Sequence, residues 1–121
     1  MHDDLIISYE INFNNKTIVI YTTNEAKGRK GKLEFFDVLT HSFACVLDYN
    51  QIIDVGECGI DIFLKDNMEE LNKMRNYCWP IDYQDIQELE HYLRSNHYKY
   101  IKIRSSYGMC GWVLAKKFKV S

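Results

Sequence analysis

Residues 5–23 read LIISYEINFNNKTIVIYTT, and this stretch decides what the rest of the chain can build. Leu5, Ile7, Tyr9, Ile11 and Phe13 alternate with Ile6, Ser8, Glu10 and Asn12, the two-residue period of a strand with one buried face. Asn14 and Asn15 then interrupt the alternation. Asparagine accepts positive φ at little cost, so the pair predicts a tight hairpin into Thr17–Thr23, where Ile18, Val19, Ile20 and Tyr21 are strong β-formers. Beyond it, Lys27-Gly28-Arg29-Lys30-Gly31-Lys32 reads as a polar turn, and Leu33–Leu39 resumes as a third strand carrying Phe35, Phe36 and Val38. A β-meander therefore opens the fold.

From Thr40 to Gly59 the periodicity weakens. Ala44–Leu47 and Gln51–Val55 each suit a short strand, with a turn at Asp48, Tyr49 and Asn50. At Asp61 the period lengthens: Leu64, Met68, Leu71, Met74 and Cys78 recur at helical spacing, opposite Lys65, Asp66, Glu69, Glu70 and Lys73. Pro80 ends this amphipathic helix because the residue before a proline is driven out of the α region. Asp82 is placed to cap a second helix with the stripe Ile86, Leu89 and Leu93, closed by Asn96. Tyr98–Arg104 returns to strand alternation, Gly108 and Gly111 bracket a turn, and Trp112–Val120 hairpins back. The expectation is an α+β fold: an antiparallel sheet of five to six strands, with an N-terminal β-meander, a C-terminal β-hairpin and two central helices packed on one face.

A chain of 121 residues fits a single domain with one core. Its 46% hydrophobic and 26% charged residues exclude a disordered polymer, and its nine tyrosines beside a single proline favour sheet. No run approaches the roughly 20 apolar residues of a membrane span. The opening Met1-His2-Asp3-Asp4 is acidic where a signal peptide is basic, so a cytoplasmic protein is expected. Cys45, Cys58, Cys78 and Cys110 contain no CxxC pair, and free, mostly buried thiols are expected.

Chemistry-bearing constellations are sparse. Cys110, in the Tyr107-Gly108-Met109-Cys110-Gly111-Trp112 turn, is the most conspicuous nucleophile, with His41 or His97 as its base, and a pocket near Tyr107, Cys110 and Trp112 defines the alternative reading as a small enzyme or ligand-binding domain. Against it stands the plain reading, in which both glycines serve a hairpin and Cys110 packs as a small apolar residue. His2, His41, His91 and His97 show no metal-ligand spacing, so no metal or other cofactor is expected. Ser105 and Ser106 beside two glycines lack both the spacing and the following helix of a phosphate loop. Lys27, Arg29, Lys30 and Lys32, with Lys116, Lys117 and Lys119, form basic stretches, but the chain is acidic overall at −2, which argues against nucleic acid.

The distribution of charge says more than its total. Residues 48–90 hold eleven Asp and Glu against Lys65, Lys73 and Arg75, a local balance of −8 that leaves the remainder basic. Such polarity suits steering and docking of a basic protein. Asp66, Glu69, Glu70, Asp82 and Asp85 are the expected contact carboxylates, with Trp79 and Tyr83 as aromatic anchors among them. The competing reading makes these the solvated outer faces of two helices and Trp79 a core anchor at their junction.

The Trp79-Pro80-Ile81-Asp82-Tyr83 junction, its following helix and the Gly111-Trp112-Val113-Leu114-Ala115-Lys116 strand resemble small uncharacterised cytoplasmic proteins of Gram-positive bacteria. Some of these resemble immunity proteins of polymorphic toxin systems. The likeness covers the C-terminal third and carries no catalytic motif. It implies a non-enzymatic inhibitor that covers a toxin's active site, and an acidic docking face suits a basic toxin domain.

Overall fold

The computed structural model describes residues 3–121; His2 and the start of the acidic tetrad lie outside them. The described residues form six strands, β1 (Leu5–Asn12), β2 (Thr17–Asn24), β3 (Arg29–Ala44), β4 (Gln51–Cys58), β5 (Lys99–Tyr107) and β6 (Cys110–Val120). Three α-helices lie between β4 and β5: α1 (Ile60–Asp66), α2 (Met68–Met74) and α3 (Ile86–Ser95). The fold is α+β with an antiparallel sheet, as expected. The sheet closes on itself in the order β1-β2-β3-β6-β5-β4, and the result is a barrel. Closure rests on one short joint, where Leu5 faces Gln51 and three backbone bonds cross: Asp3 N to Ile52 O, Ile52 N to Asp4 O, and Ile6 N to Asn50 O, at 2.8–2.9 Å. Bulges at Ile6/Ser8, Val38/Thr40 and Gln51–Asp54 coil the strands enough to bring these ends together.

The bulge in β1 also shifts its alternation. Ile6 and Ile11 pack towards the interior, while Ile7 is 58% and Phe13 79% exposed, so the single buried face expected from Leu5 to Phe13 does not form. The positive φ in the following turn belongs to Lys16 (φ 56°), not to either asparagine. Inside the barrel, Ile18, Ile20, Leu33, Phe35, Ile52, Ile101, Ile103, Met109, Val113 and Ala115 form one continuous core. At one end, Asp4 is buried with Asn24 Nδ2 donating to it at 3.0 Å and Arg29 Nη2 at 3.4 Å. Burial works against its charge, yet these two donors prevail and hold its carboxyl below the ordinary range.

The outward residues of β5 and β6 carry a second core. Tyr100 and Leu114 are fully buried beneath Phe63, Leu64, Leu71, Leu89 and Leu93 of the helices. The continuous helix expected from Asp61 to Cys78 is broken. Asn67 leaves helical geometry (φ −115°, ψ 15°) and its Nδ2 donates to Phe63 O at 3.0 Å, while α2 ends in a 3-10 turn closed by Cys78 at φ 57°. The cap of α3 is Asp85 rather than Asp82: Asp85 Oδ1 accepts from Glu88 N at 2.8 Å, and Glu88 returns a carboxylate oxygen to Gln84 N at 3.3 Å. Asn96 closes α3 as expected.

Strand β3 is longer than its pattern indicates. It starts at Arg29, so the polar turn shrinks to Glu25–Gly28 with Gly28 at φ 62°, and it runs to Ala44 instead of ending at Leu39. Ala44–Leu47 is therefore not a separate strand. Asn50 pins the next loop, its Oδ1 accepting from Leu47 N (3.0 Å) and Met109 N (2.7 Å). Gly111 lies within β6, where a Cβ would run into the carbonyl of Ser42 on β3. All four thiols are free, but Cys45 and Cys78 are exposed, contrary to the expectation of mostly buried ones. No helix among the described residues is long and apolar enough to cross a membrane.

Candidate functional site: an acidic face on the helical layer

Glu69 and Glu70 stand in the first turn of α2, and Asp82 and Asp85 flank Tyr83 in the link to α3. The two segments are 12 residues apart in sequence but joined in space, because Tyr83 donates its hydroxyl to Leu71 O at 3.1 Å. Tyr83 is only 4% exposed. It rivets α2 to the link and is not itself an outer contact residue. Burial pushes its hydroxyl above the ordinary tyrosine value.

Two more of the expected contact residues also build the scaffold. Asp66, at the end of α1, accepts from Tyr100 Oη and from Lys102 Nζ, each at 3.0 Å. The Lys102 bond holds its carboxyl low, and burial together with the Asp66 bond pushes the Tyr100 hydroxyl up. Trp79 is half-buried, its Nε1 donates to Thr40 Oγ1 at 3.1 Å, and its ring lies 6.2 Å from that of Trp112. Of the seven residues, Asp66, Glu69, Glu70, Asp82 and Asp85 are exposed, and of these only Asp66 is taken up by another element.

Pairing sorts the acidic segment further. Asp54 meets Arg104 at 2.7 Å, Glu57 meets Lys99 at 4.0 Å, Asp66 meets Lys102 at 3.0 Å and Glu90 meets Arg94 at 2.9 Å. All four cations come from β5 or the end of α3, outside the acidic window, so half of the local imbalance is neutralised on the spot. Asp61, Glu69, Glu70, Asp82, Asp85 and Glu88 make no ion pair among the described residues. Glu88 is bound into the start of α3 with Asp85, and the Asp-x-x-Glu spacing of a capping box was the signal for it.

Compared with known protein families, with curated proteins and with solved structures, the chain matches none.

Of the two bases expected for Cys110, the sheet separates His41 from it. On β6, Val113 and Ala115 belong to the barrel core, so by alternation Cys110 and Trp112 point out. His41 faces Val113 and shares its inward side, which puts the sheet between His41 and Cys110. Trp112 is packed against Phe63 (5.3 Å) and Tyr100 (6.0 Å), while Tyr107 is exposed against Tyr49 (5.8 Å). The hydroxyl of Ser105 is spent on Met109 O and that of Ser106 faces Gln51, so neither is aimed at a phosphate. His97 lies in the link after α3 at φ 61°, and His91 on α3 neighbours Ser95 at 3.3 Å. The basic stretches are partly answered: Arg29 by Asp4, Lys32 by Glu34 at 3.3 Å, and Lys116 by the face of Tyr98 at 5.3 Å.

One feature had no signal in the sequence. Beyond Phe35, β3 runs past the end of the β1–β2 hairpin, and between them opens a cleft of about 300 Å³ bordered by Ile11, Phe13, Lys16, Val38, Thr40 and His41. Burial pushes the His41 imidazole down, favouring its neutral form. Its ring lies 5.0 Å from Phe43, which in turn meets Tyr9 at 5.4 Å.

Proposed function

We propose that this is a non-enzymatic binding protein of the cytoplasm, of immunity type, which docks a basic partner such as a toxin domain through the acidic face of its helical layer. The observation that supports the reading is the Tyr83–Leu71 bond: it ties together the two segments that carry Glu69, Glu70, Asp82 and Asp85, while Asp54, Glu57, Asp66 and Glu90 of the same stretch are taken up in ion pairs. Exposed, unpaired carboxylates steer a cationic partner at long range and accept its Lys and Arg at contact. The rim of such a face governs association rate and salt sensitivity more than dissociation.

The test is capture of partners by the tagged protein at low and at high salt, followed by the same capture with Glu69→Gln, Glu70→Gln, Asp82→Asn and Asp85→Asn combined. Asparagine still caps α3, so the fold is retained. A basic partner held at low salt, released at high salt and bound about tenfold more slowly by the variant is the expected result. A partner held equally by both proteins at every salt concentration refutes the acidic face.

A further inference from the structure

Besides the end of β6 beyond Ala115, which Lys116, Lys117 and Lys119 blunt, three strand edges lie open in the barrel wall among the described residues. Past the closing joint, β4 has no strand on its β1 side and β1 has none on its β4 side; past Val38, whose N–H bonds Lys16 O at 2.9 Å, β3 has none on its β2 side. Open edges recruit other strands, and folded proteins blunt them with charges and bulges. The first two are blunted in this way. The free part of β4 carries Asp54 and Glu57 behind the Gln51–Asp54 bulge, and that of β1 carries Glu10 beyond the Ile6/Ser8 bulge. The third is bare: Thr40-His41-Ser42-Phe43-Ala44 has no acidic residue, no Lys or Arg and no proline, and its bulge lies behind it.

We infer that this bare edge is a seam for a second copy of the chain, paired antiparallel about a two-fold axis through Ser42. In that register Ser42 meets Ser42, His41 meets Phe43 and Thr40 meets Ala44, so no like charges are opposed and an aromatic pair forms on each side. The same operation on β4 would bring Asp54 and Glu57 of two copies together. Ser42 and Ala44 are exposed and Phe43 is half-buried, so the edge is accessible and has apolar surface to cover. The seam does not depend on the acidic face and goes beyond the docking function proposed above.

The experiment is sedimentation velocity over a wide range of concentration, with Ser42→Lys, Ser42→Glu and an equal mixture of the two, each checked for its fold by circular dichroism and thermal melting. The wild-type chain self-associates, either substitution alone weakens the dimer by about tenfold or more through like charges across the axis, and the mixture restores it. A wild-type chain that stays monomeric throughout, a dimer indifferent to Ser42→Lys, or a mixture that fails to re-associate overturns the seam.

Discussion

Replacing Tyr83 by Phe removes one oxygen and isolates the contact on which the acidic face depends. The hydroxyl reaches Leu71 O at 3.1 Å from a side chain that is 4% exposed. Leu71 lies in the last turn of α2, where carbonyls lack a full set of helical partners. Losing the bond costs its net contribution of about 1 kcal/mol, with up to about 1 kcal/mol more for a buried carbonyl left less well satisfied. In a chain of this size that lowers Tm by about 4–8 °C. Tyr83→Ala also removes the ring from the second core and costs about 3–5 kcal/mol. Urea unfolding of the two variants beside the wild type separates the terms, and hydrogen exchange at the start of α2 shows whether the two acid-bearing segments have come apart. If Tyr83→Phe matches the wild type in both measurements while Tyr83→Ala does not, the ring alone is at work and the two segments are not held by the hydroxyl.

Asp4→Ala strips a buried acceptor from Asn24 and Arg29 and lowers stability by about 2 kcal/mol in urea titration; Arg29→Ala, which removes the exposed member of the pair and leaves Asn24 bonded to Asp4, costs less. Gly111→Ala sets a Cβ against the Ser42 carbonyl and costs about 2–3 kcal/mol, detected as a lower melting temperature and faster amide exchange along β3 and β6. The hydroxyls of Tyr83, Tyr98 and Tyr100 are all pushed above the ordinary value of 10.0, mainly by burial. A proton held more tightly in the folded chain contributes stability that is complete below the unfolded pKa and is lost as pH rises towards the folded ones. The urea midpoint therefore falls steeply above about pH 10, and Tyr100→Phe softens that fall.

The hairpin was legible because alternation and a pair of asparagines are local signals, and so was the C-terminal strand pair, where Ile101, Ile103 and Val113 keep a strict period. The barrel was not. Closure depends on bulges at Ile6, Val38 and Gln51, and a bulge leaves no residue type as its mark; in β1 it reverses which side chains face inwards. The break at Asn67 was hidden because a stripe of Leu64, Met68 and Leu71 survives a one-residue hinge. Both Asp82 and Asp85 can cap, and only the Glu three residues after Asp85 distinguishes them. In the candidate site, Glu69 and Glu70 were readable as exposed acids. The neutralising cations on β5 were not, since Lys99, Lys102 and Arg104 reach Glu57, Asp66 and Asp54 only after distant strands have paired.

The joint between Leu5 and Gln51 sets an order of events. It ties the first strand to the fourth by a handful of backbone bonds, whereas every other neighbouring pair of strands shares a long ladder. Closing it gains little until the hairpin and the β4–β5–β6 wall already stand, so it forms late, after the loop entropy has been met elsewhere. It is equally the first place to open. The amides of Ile6 and Ile52 are therefore expected to exchange faster than those of the long ladders, as in a ring whose latch parts at one side before the rest unfolds.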